Sequence, residues 1–185
     1  MPNAQFDLFY QNWLSKSDNY NENILSGQFD KFISLYVAYN AIYMEVINEL
    51  TIAGYQLPKD YKDKKAATDY VAQYLGGKYY IENLLNDEVS LESYNVICDI
   101  IEQNKFHIIL ELGVPQRHLD EELLKFLKSN SSQEKSKAIL STLYHIRCNI
   151  FHGQKDFNGR QSELLRPAIY LLRKTLIMTY NKLNQ

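Results

Sequence analysis

The chain has 185 residues, of which 45 % are apolar and 23 % are charged, and its formal net charge is −2. This is the composition of one globular domain with a sizeable core, and it excludes a disordered chain. Seven Gly, four Pro and no alternating β-branched runs favour helices over a sheet. We predict an all-α fold, an up-and-down bundle of four to five main helices with short extra helices. One domain is expected over 1–185, with an N-terminal helix and polar connection over 1–26 and the bundle over 27–185.

The predicted helices follow one another with Gly, Pro or polar turns between them. They cover residues 4–15, 27–53, 60–75, 78–85, 90–103, 119–127, 131–153 and 160–183. The first carries an aromatic stripe of Phe6, Phe9, Tyr10 and Trp13, and the second, the longest, ends at Gly54. Within the second helix we interpret Asn40 as a fastener of the core or of an interface.

The later elements carry clearer boundary signals. The apolar run Phe106–Leu112 is expected to be buried coil or helix, since a lone strand would have no partner. Ser131 and Glu134 form a capping box, after which Ile139, Leu143, Ile146 and Ile150 make a core stripe. Pro167 predicts a kink or a restart of the last helix near Leu165.

The small net charge hides a strong segregation along the chain. Residues 1–134 carry 11 Lys and Arg against 20 Asp and Glu, a net charge of −9. Residues 135–185 carry nine against two, a net charge of +7. Either the two segments lie side by side and neutralise each other, or the C-terminal helices present a basic surface to a polyanion.

Several classes of protein are disfavoured. The N-terminal residues do not resemble a secretory signal and no run reaches about 20 apolar residues, so we expect a cytoplasmic chain with no membrane contact. Cys98 and Cys148 are expected to be free thiols. No spacing of His, Cys and carboxylates predicts a metal site, and no Gly-rich loop predicts a nucleotide, so no cofactor is expected.

The end of the capped helix carries residues suited to phosphodiester chemistry. Residues 147–153 read RCNIFHG, which brings Arg147 and His152 close in sequence. A neutral imidazole can take a proton from a ribose 2′-hydroxyl or give one to the leaving oxygen, and a guanidinium stabilises charge on the phosphoryl oxygens.

The spacing of the two residues limits how they can cooperate. Five residues on an ideal helix correspond to about 140° around its axis, so one straight helix cannot direct both side chains at one point. Either the helix loosens before Gly153, or a second copy of the chain supplies the complementary group, as in a symmetric dimer. His145, Asn149 and His152 share a helix face, and Arg147 lies closer to the core edge.

These residues resemble the R-x4-6-H signature of the HEPN superfamily. A second element strengthens the resemblance, because residues 29–43, FDKFISLYVAYNAIY, are similar to the first long helix of many HEPN proteins. Helix order, length and the position of the motif on the penultimate helix also fit. The resemblance covers about Gly27 to Leu183, with the middle third matching only as helical pattern.

The resemblance implies a fold and an activity. It implies a bundle that dimerises with two Arg-His pairs facing one cleft, and a metal-independent endoribonuclease that leaves a 2′,3′-cyclic phosphate. Members often serve as toxins of toxin–antitoxin or phage-defence systems, so the partners implied are RNA, a second copy and a cognate antitoxin or other defence protein. Carried over, Arg147 would be the phosphate-stabilising cation and His152 the general acid or base.

Supporting roles near the motif are assigned to His145, Cys148 and Asn149. In active members the residue after the Arg is frequently Asn, Asp or His, whereas here it is Cys148. Contacts with the RNA backbone are predicted for basic residues that follow the motif, namely Lys155, Arg160, Arg166, Arg173 and Lys174.

Three alternatives to catalysis stay open. Arg147 would then cap helix carbonyls or pair with an acidic neighbour, and His152 would be a helix C-terminal residue favoured by the dipole. A non-catalytic HEPN module would bind RNA or a protein, with Cys148 marking lost activity. A purely structural adaptor would hold both side chains in contacts far from any cleft.

Overall fold

The computed structural model describes residues 4–58, 60–151 and 161–185, which fold into an all-α helical bundle, as predicted. Five of the helices in these ranges have 15 residues or more, and the rest are short. The α-helices are α1 (Ala4–Asp18), α2 (Leu25–Ile52), α3 (Asp63–Lys65), α4 (Val71–Leu75), α5 (Gly77–Leu84), α6 (Glu88–Glu102), α7 (Arg117–Leu127), α8 (Ser132–Phe151) and α9 (Gln161–Leu183).

The core is built around α2. This helix packs against α1 and α9, α6 packs against α9, and α5 and α7 pack against α8. Of the aromatic stripe predicted on α1, Phe6 and Tyr10 are buried and Tyr10 stacks on Tyr180 at 3.9 Å between ring centroids. Phe9 faces outward instead, with 39 % of its surface exposed.

A π-helical segment, Ala66–Tyr70, lies directly between α3 and α4. It packs against both α2 and α8. The hydroxyl of Tyr39 in α2 donates to the backbone carbonyl of Ala67 at 2.5 Å, so the segment is fixed to the buried side of α2. Because π turns widen a helix locally, they are frequent at functional sites. Gly76, with φ +81°, ends the stretch as predicted.

The connection between α6 and α7 contains a short hairpin, β1 (Leu110–Glu111) and β2 (Val114–Pro115). The two strands are antiparallel, with Leu110 opposite Pro115. The expectation that this region has no strand because a partner is lacking is therefore wrong. The partner lies only a few residues further along, past a turn with Gly113 at φ +80°.

The start of α8 and the course of α9 both differ from the prediction. The Ser131 hydroxyl accepts from the Glu134 backbone N–H at 3.3 Å, but the Glu134 carboxylate accepts from Ser129 Oγ at 2.6 Å, so the capping box is only half formed. Helix α9 is continuous through Pro167, and the predicted restart near Leu165 is wrong. Pro167 is the seventh residue of α9, so the helix continues although one i→i−4 hydrogen bond is lost there.

Candidate functional site

The last turns of α8 direct their side chains to three different neighbours. Successive residues of a helix differ by about 100°, so Arg147, two positions from both His145 and Asn149, lies on the opposite side of α8 from them. Arg147 lies against α2, His145 against α3, and Asn149 is buried and bonded to the connection before β1. The candidate site is therefore the surroundings of Arg147, and the other two side chains mark its borders.

The guanidinium of Arg147 is held mainly by aromatic rings. Its Cζ atom lies 4.7 Å from the ring centroid of Phe151 and 5.7 Å from that of Tyr36. Its Nη1 lies 3.9 Å from the Cys148 sulfur. No carboxylate within the described ranges forms an ion pair with it. A cation stabilised by ring faces keeps its N–H groups free for an anion.

The charge of Arg147 is secure in this environment. Burial opposes the charged form, but contact with Cys148 and the proximity of Tyr36 and Asp63 outweigh it, so the pKa of the guanidinium lies above its usual value. Burial also raises the pKa of the Tyr36 phenol, with Arg147 acting in the opposite direction. At neutral pH the pair is thus a fixed cation next to a neutral phenol.

Three buried polar atoms at this place have no hydrogen-bond partner among the described residues. They are Nε of Arg147, the hydroxyl of Tyr36 and Oδ1 of Asn40. Tyr36 and Asn40 are one turn apart on α2, so all three belong to one region. Leaving such groups unsatisfied costs about 1–3 kcal/mol each. The sequence had indicated Asn40 as a core or interface fastener, and an interface would supply the missing partner.

An exposed apolar stripe runs along α2 beside these polar atoms. Ile33, Val37 and Ala41 are half-buried and Met44 is 47 % exposed, at a spacing that places them on one side of the helix. Phe151, which carries the Arg147 guanidinium on its ring, is 54 % exposed. A surface of this kind, next to unsatisfied polar groups, is typical of a protein interface.

Tyr43 and Asp63 form a further side of the site around Arg147. The Tyr43 hydroxyl donates to Asp63 Oδ1 at 2.6 Å. Burial, followed by this hydrogen bond, raises the pKa of Tyr43. Asp63 begins α3, about 80 positions before Arg147 in sequence, and no motif had indicated it. Only the fold could reveal this carboxylate, which places a negative charge close to the guanidinium without pairing with it.

Cys148 and Tyr144 close the solvent side of the site. Both side chains are half-buried. Burial raises the pKa of the Tyr144 phenol, and the next causes are the proximity of Cys148 and a hydrogen bond with it. Cys148, predicted to support the motif, is therefore in contact with both Tyr144 and the guanidinium.

His145 lies on the opposite side of α8 from Arg147. Its Nε2 is 3.0 Å from the Lys64 ammonium nitrogen. Burial, and then the charge of Lys64, lower the pKa of His145 to about 4. The imidazole is therefore neutral at pH 7 and accepts a hydrogen bond from Lys64. Its ring packs edge-on against that of Tyr144, with 5.8 Å between the centroids, whereas its hydrogen bond is directed to Lys64 and away from the Arg147 guanidinium.

Asn149 faces the interior. Its side-chain amide donates to the backbone carbonyl of Ile108 at 2.9 Å. The same connection is held from the other side by the buried Asp120, whose Oδ1 accepts from the backbone N–H groups of Ile108 and Ile109. Asn149 thus fixes the position of α8 and does not touch the Arg147 guanidinium. Asp120 had been regarded only as part of a charged helix.

The predicted RNA contacts divide into three groups. His152, the predicted acid or base, and the predicted contacts Lys155 and Arg160 lie outside the described residues. Arg166 is exposed on α9. Arg173 donates to both carboxylate oxygens of Asp18, at 2.6 and 3.1 Å, and Lys174 forms an ion pair with Asp87. Their charges are already neutralised inside the chain.

Two further properties concern ligands and membranes. Within the described ranges, no group of three or more His, Cys, Asp or Glu side chains could hold a metal ion. In those same ranges, none of the helices is long and apolar enough to span a lipid bilayer.

Comparison with known proteins gives no further indication. No protein-family model, no curated protein and no solved structure matches the chain. The function must therefore be inferred from the residues themselves, and the Arg147 cluster is the arrangement among them that is best suited to chemistry.

Proposed function

We propose that the chain is a metal-independent endoribonuclease of the HEPN type. It would act as a homodimer in the cytoplasm, as part of a toxin–antitoxin or phage-defence system. The observation that carries the proposal is the guanidinium of Arg147, partly buried between two aromatic rings and without a carboxylate partner in the described part of the chain. A cation held in this way is available to a phosphate, to which a guanidinium can form two parallel hydrogen bonds.

The proposed reaction uses the RNA's own 2′-hydroxyl as nucleophile. The 2′-oxygen attacks the adjacent phosphorus and loses its proton to a base, while the bond to the 5′-oxygen breaks and that oxygen gains a proton. The products are a 2′,3′-cyclic phosphate and a 5′-hydroxyl. In this proposal His152 moves the proton, and Arg147 stabilises the negative charge that builds on the non-bridging oxygens.

A second protomer fits the proposal for two reasons. The helical spacing of Arg147 and His152 separates them by about 140° on one straight helix, so a composite site from two chains solves the geometry. The exposed stripe of α2 and the unsatisfied atoms of Tyr36 and Asn40 lie beside Arg147. A partner docked there would cover the stripe and bring its own Arg147 region to the same cleft.

The proposal is tested by incubating the purified protein with a fluorescent single-stranded RNA in EDTA. We expect cleavage to 2′,3′-cyclic phosphate ends, and a loss of about 100-fold or more in rate for both His152→Ala and Arg147→Ala. His118→Ala is the matched control, since His118 is exposed on α7. Absence of cleavage by the wild-type protein, or undiminished cleavage by His152→Ala, would contradict the catalytic proposal.

Mixing the two inactive variants tests whether the site is composite. If Arg147 and His152 of one site come from different chains, an equal mixture after subunit exchange contains heterodimers with one intact site. The mixture should then regain about a quarter of the wild-type activity, because half the dimers are mixed and each has one site of two. No recovery, with exchange confirmed, would place both residues of each site on one chain.

A second candidate function is a non-catalytic HEPN module that binds RNA or a protein. It is favoured by one observation: the Arg147 guanidinium contacts the sulfur of Cys148, at a position where active members frequently carry Asn, Asp or His. In this case the wild-type protein would bind RNA or a partner without forming products. Binding would also survive the Arg147→Ala and His152→Ala substitutions, which separates this function from the first.

A further inference from the structure

A groove of about 540 Å³ lies on the side of α8 opposite Arg147. Its walls are the π-helical segment with α3, the end of the connection before β1, α7 and the middle of α8. The apolar part of its lining is made by Ile109, Leu119, Leu123, Phe126 and Ala138. Phe126 is 37 % exposed because it faces this space. The volume lies in the range of small-molecule sites, which are mostly apolar with a few polar groups.

One end of the groove is cationic. Lys62, Lys64 and Lys65 lie there together, next to His145. The hydrogen-bond partner of the Lys64 ammonium in the described part of the chain is Nε2 of His145, at 3.0 Å, and no ion pair of Lys64 with a carboxylate is formed there. A neutral imidazole orients an ammonium group but does not neutralise it. This end of the groove therefore carries uncompensated positive charge.

The carboxylates around the groove offset that charge only in part, since the lining carries four Lys side chains and three carboxylates. Asp69 forms an ion pair with Lys137 at 3.2 Å. Glu134 accepts from the Ser129 hydroxyl at 2.6 Å. Glu122 comes from α7, on the wall across from α3. The groove thus has an apolar floor and a positive end on the α3 side.

We infer that this groove binds a small amphipathic anion, with its carboxylate or phosphate head at Lys64 and its apolar body on the floor of Leu123, Phe126 and Ala138. A nucleic acid bound there would lose hydration of its phosphates against the apolar floor, which offers them no cation or hydrogen-bond donor. An alkyl or aryl chain instead gains about 25 cal/mol of binding free energy for each Å² that it buries on this floor. The site is distinct from the proposed nuclease cleft, because residues 145 and 147 lie about 200° apart around α8.

His145 provides a direct reporter of the head group. Its pKa is lowered to about 4 by burial and then by Lys64, and a bound anion would offset the second cause. Lys64 contacts the imidazole from the α3 side and the Tyr144 ring packs against it edge-on. The other charged residues that line the groove are Lys62, Lys65, Asp69, Glu122, Glu134 and Lys137. Binding should therefore shift the imidazole resonances of His145 and raise its pKa.

The inference is tested by titrating the full chain with decanoate, decyl phosphate, decanol and inorganic phosphate. Calorimetry gives affinity and stoichiometry, and NMR follows the His145 imidazole. We expect saturable 1:1 binding of decanoate or decyl phosphate, and no comparable binding of decanol or phosphate alone. A preference between the two amphiphiles identifies the head group.

Two variants separate this site from adventitious binding. Lys64→Gln should weaken amphiphile binding about tenfold or more, the loss of one ion pair in a partly desolvated site. Ser141→Trp should weaken it strongly, because Ser141 lines the groove and an indole would occupy part of the space that the apolar body needs. Lys78→Gln is the matched control, since its side chain is 82 % exposed on α5. Circular dichroism verifies that each variant is folded.

Three results would overturn the inference. The first is no saturable binding of either amphiphile, and the second is binding that Lys64→Gln and folded Ser141→Trp leave unchanged. The third is displacement of the amphiphile by a short single-stranded RNA, which would assign the groove to nucleic acid. The outcome is independent of whether the chain cleaves RNA, because none of these measurements uses the Arg147 cluster.

Discussion

Arg147 is a cation whose partial burial is outweighed by its neighbours, which raise its pKa above the usual value. Its guanidinium is partly desolvated between Phe151 and Tyr36, and its Nε atom has no hydrogen-bond acceptor in the described part of the chain. Ring faces return about 0.5–2 kcal/mol of the desolvation cost, less than a paired carboxylate would. In the proposed function an RNA phosphate would supply the acceptor that Nε lacks, so the cation is positioned before its ligand arrives.

The prediction at the scale of single residues concerns the Lys64–His145 pair. In the wild type we expect His145 to titrate near pH 4, well below the usual 6.5 of histidine, because of burial first and Lys64 second. Lys64→Gln removes the second cause, so the pKa should rise towards 6.5 without reaching it. An NMR titration of the His145 imidazole measures both values.

The sign of the effect on stability follows from this lowered pKa. Above pH 6.5 His145 is neutral in both the folded and the unfolded chain. Between pH 6.5 and 4 only the unfolded chain binds the proton, so the free energy of unfolding falls as the pH is lowered. His145→Gln should reduce this pH dependence, which urea denaturation at a series of pH values measures. A His145 that titrates near 6.5 in the wild type would contradict the prediction.

The sequence indicated some residues of the site and missed others. Arg147 and Cys148 were indicated by a local motif, and the structure places them in contact. Asp63 and Lys64 were not indicated, because they lie about 80 positions away and reach α8 only through the packing of the π-helical segment. Contacts between residues so distant in sequence depend on tertiary structure and leave no local pattern.

At the scale of elements, the stretch from Phe106 to Ile109 connects the site to the core without being a helix or a strand. Its backbone N–H groups at Ile108 and Ile109 donate to Asp120 Oδ1, at 3.1 and 2.9 Å. Asp120 Oδ2 lies 3.0 Å from His107 Nδ1, and the Ile108 carbonyl accepts from Asn149 of α8. One buried carboxylate of α7 therefore sets the position of α8.

We predict that Asp120→Ala lowers the free energy of unfolding by about 3 kcal/mol. The substitution leaves two buried backbone N–H groups without an acceptor, and each such loss costs about 1–3 kcal/mol. Asp120→Asn should cost less, because its amide oxygen can still accept from Ile108 and Ile109. Urea denaturation measures both values, with Glu92→Ala on the exposed side of α6 as control. Equal stability of Asp120→Ala and wild type would show that water satisfies those N–H groups.

The elements were more predictable than their connections. Apolar periodicity and Gly or Asp signals located every long helix to within a few residues, because amphipathic helices carry their burial in their own sequence. The hairpin at Leu110–Pro115 was missed because two-residue strands have too few positions to show alternation. The π-helical segment was missed because its wide turn is stabilised by Tyr39 of another helix.

At the scale of the whole molecule, the charge segregation is largely resolved inside the chain. Basic residues of the C-terminal segment pair with acidic residues before it: Lys137 with Asp69, Arg173 with Asp18 and Lys174 with Asp87. Lys174, followed by Ser90, holds the pKa of Asp87 well below its usual range. Of the two interpretations of the sequence, neutralisation therefore applies to these residues. Among the predicted RNA contacts, Arg166 is therefore the exposed one in the described ranges, and Lys155 and Arg160 lie outside those ranges.

The last prediction concerns assembly through the α2 stripe. Met44→Asp places a charge at the most exposed residue of the α2 stripe, one turn from Asn40, so we expect the variant to be monomeric where the wild type is dimeric. Light scattering coupled to gel filtration measures the mass against the 21.7 kDa of one chain. Leu112→Asp is the matched control, because Leu112 is 94 % exposed in the hairpin turn, away from α2. A wild type that stays monomeric at high concentration would remove the composite site from the proposal, and Arg147 and His152 would then have to meet within one chain.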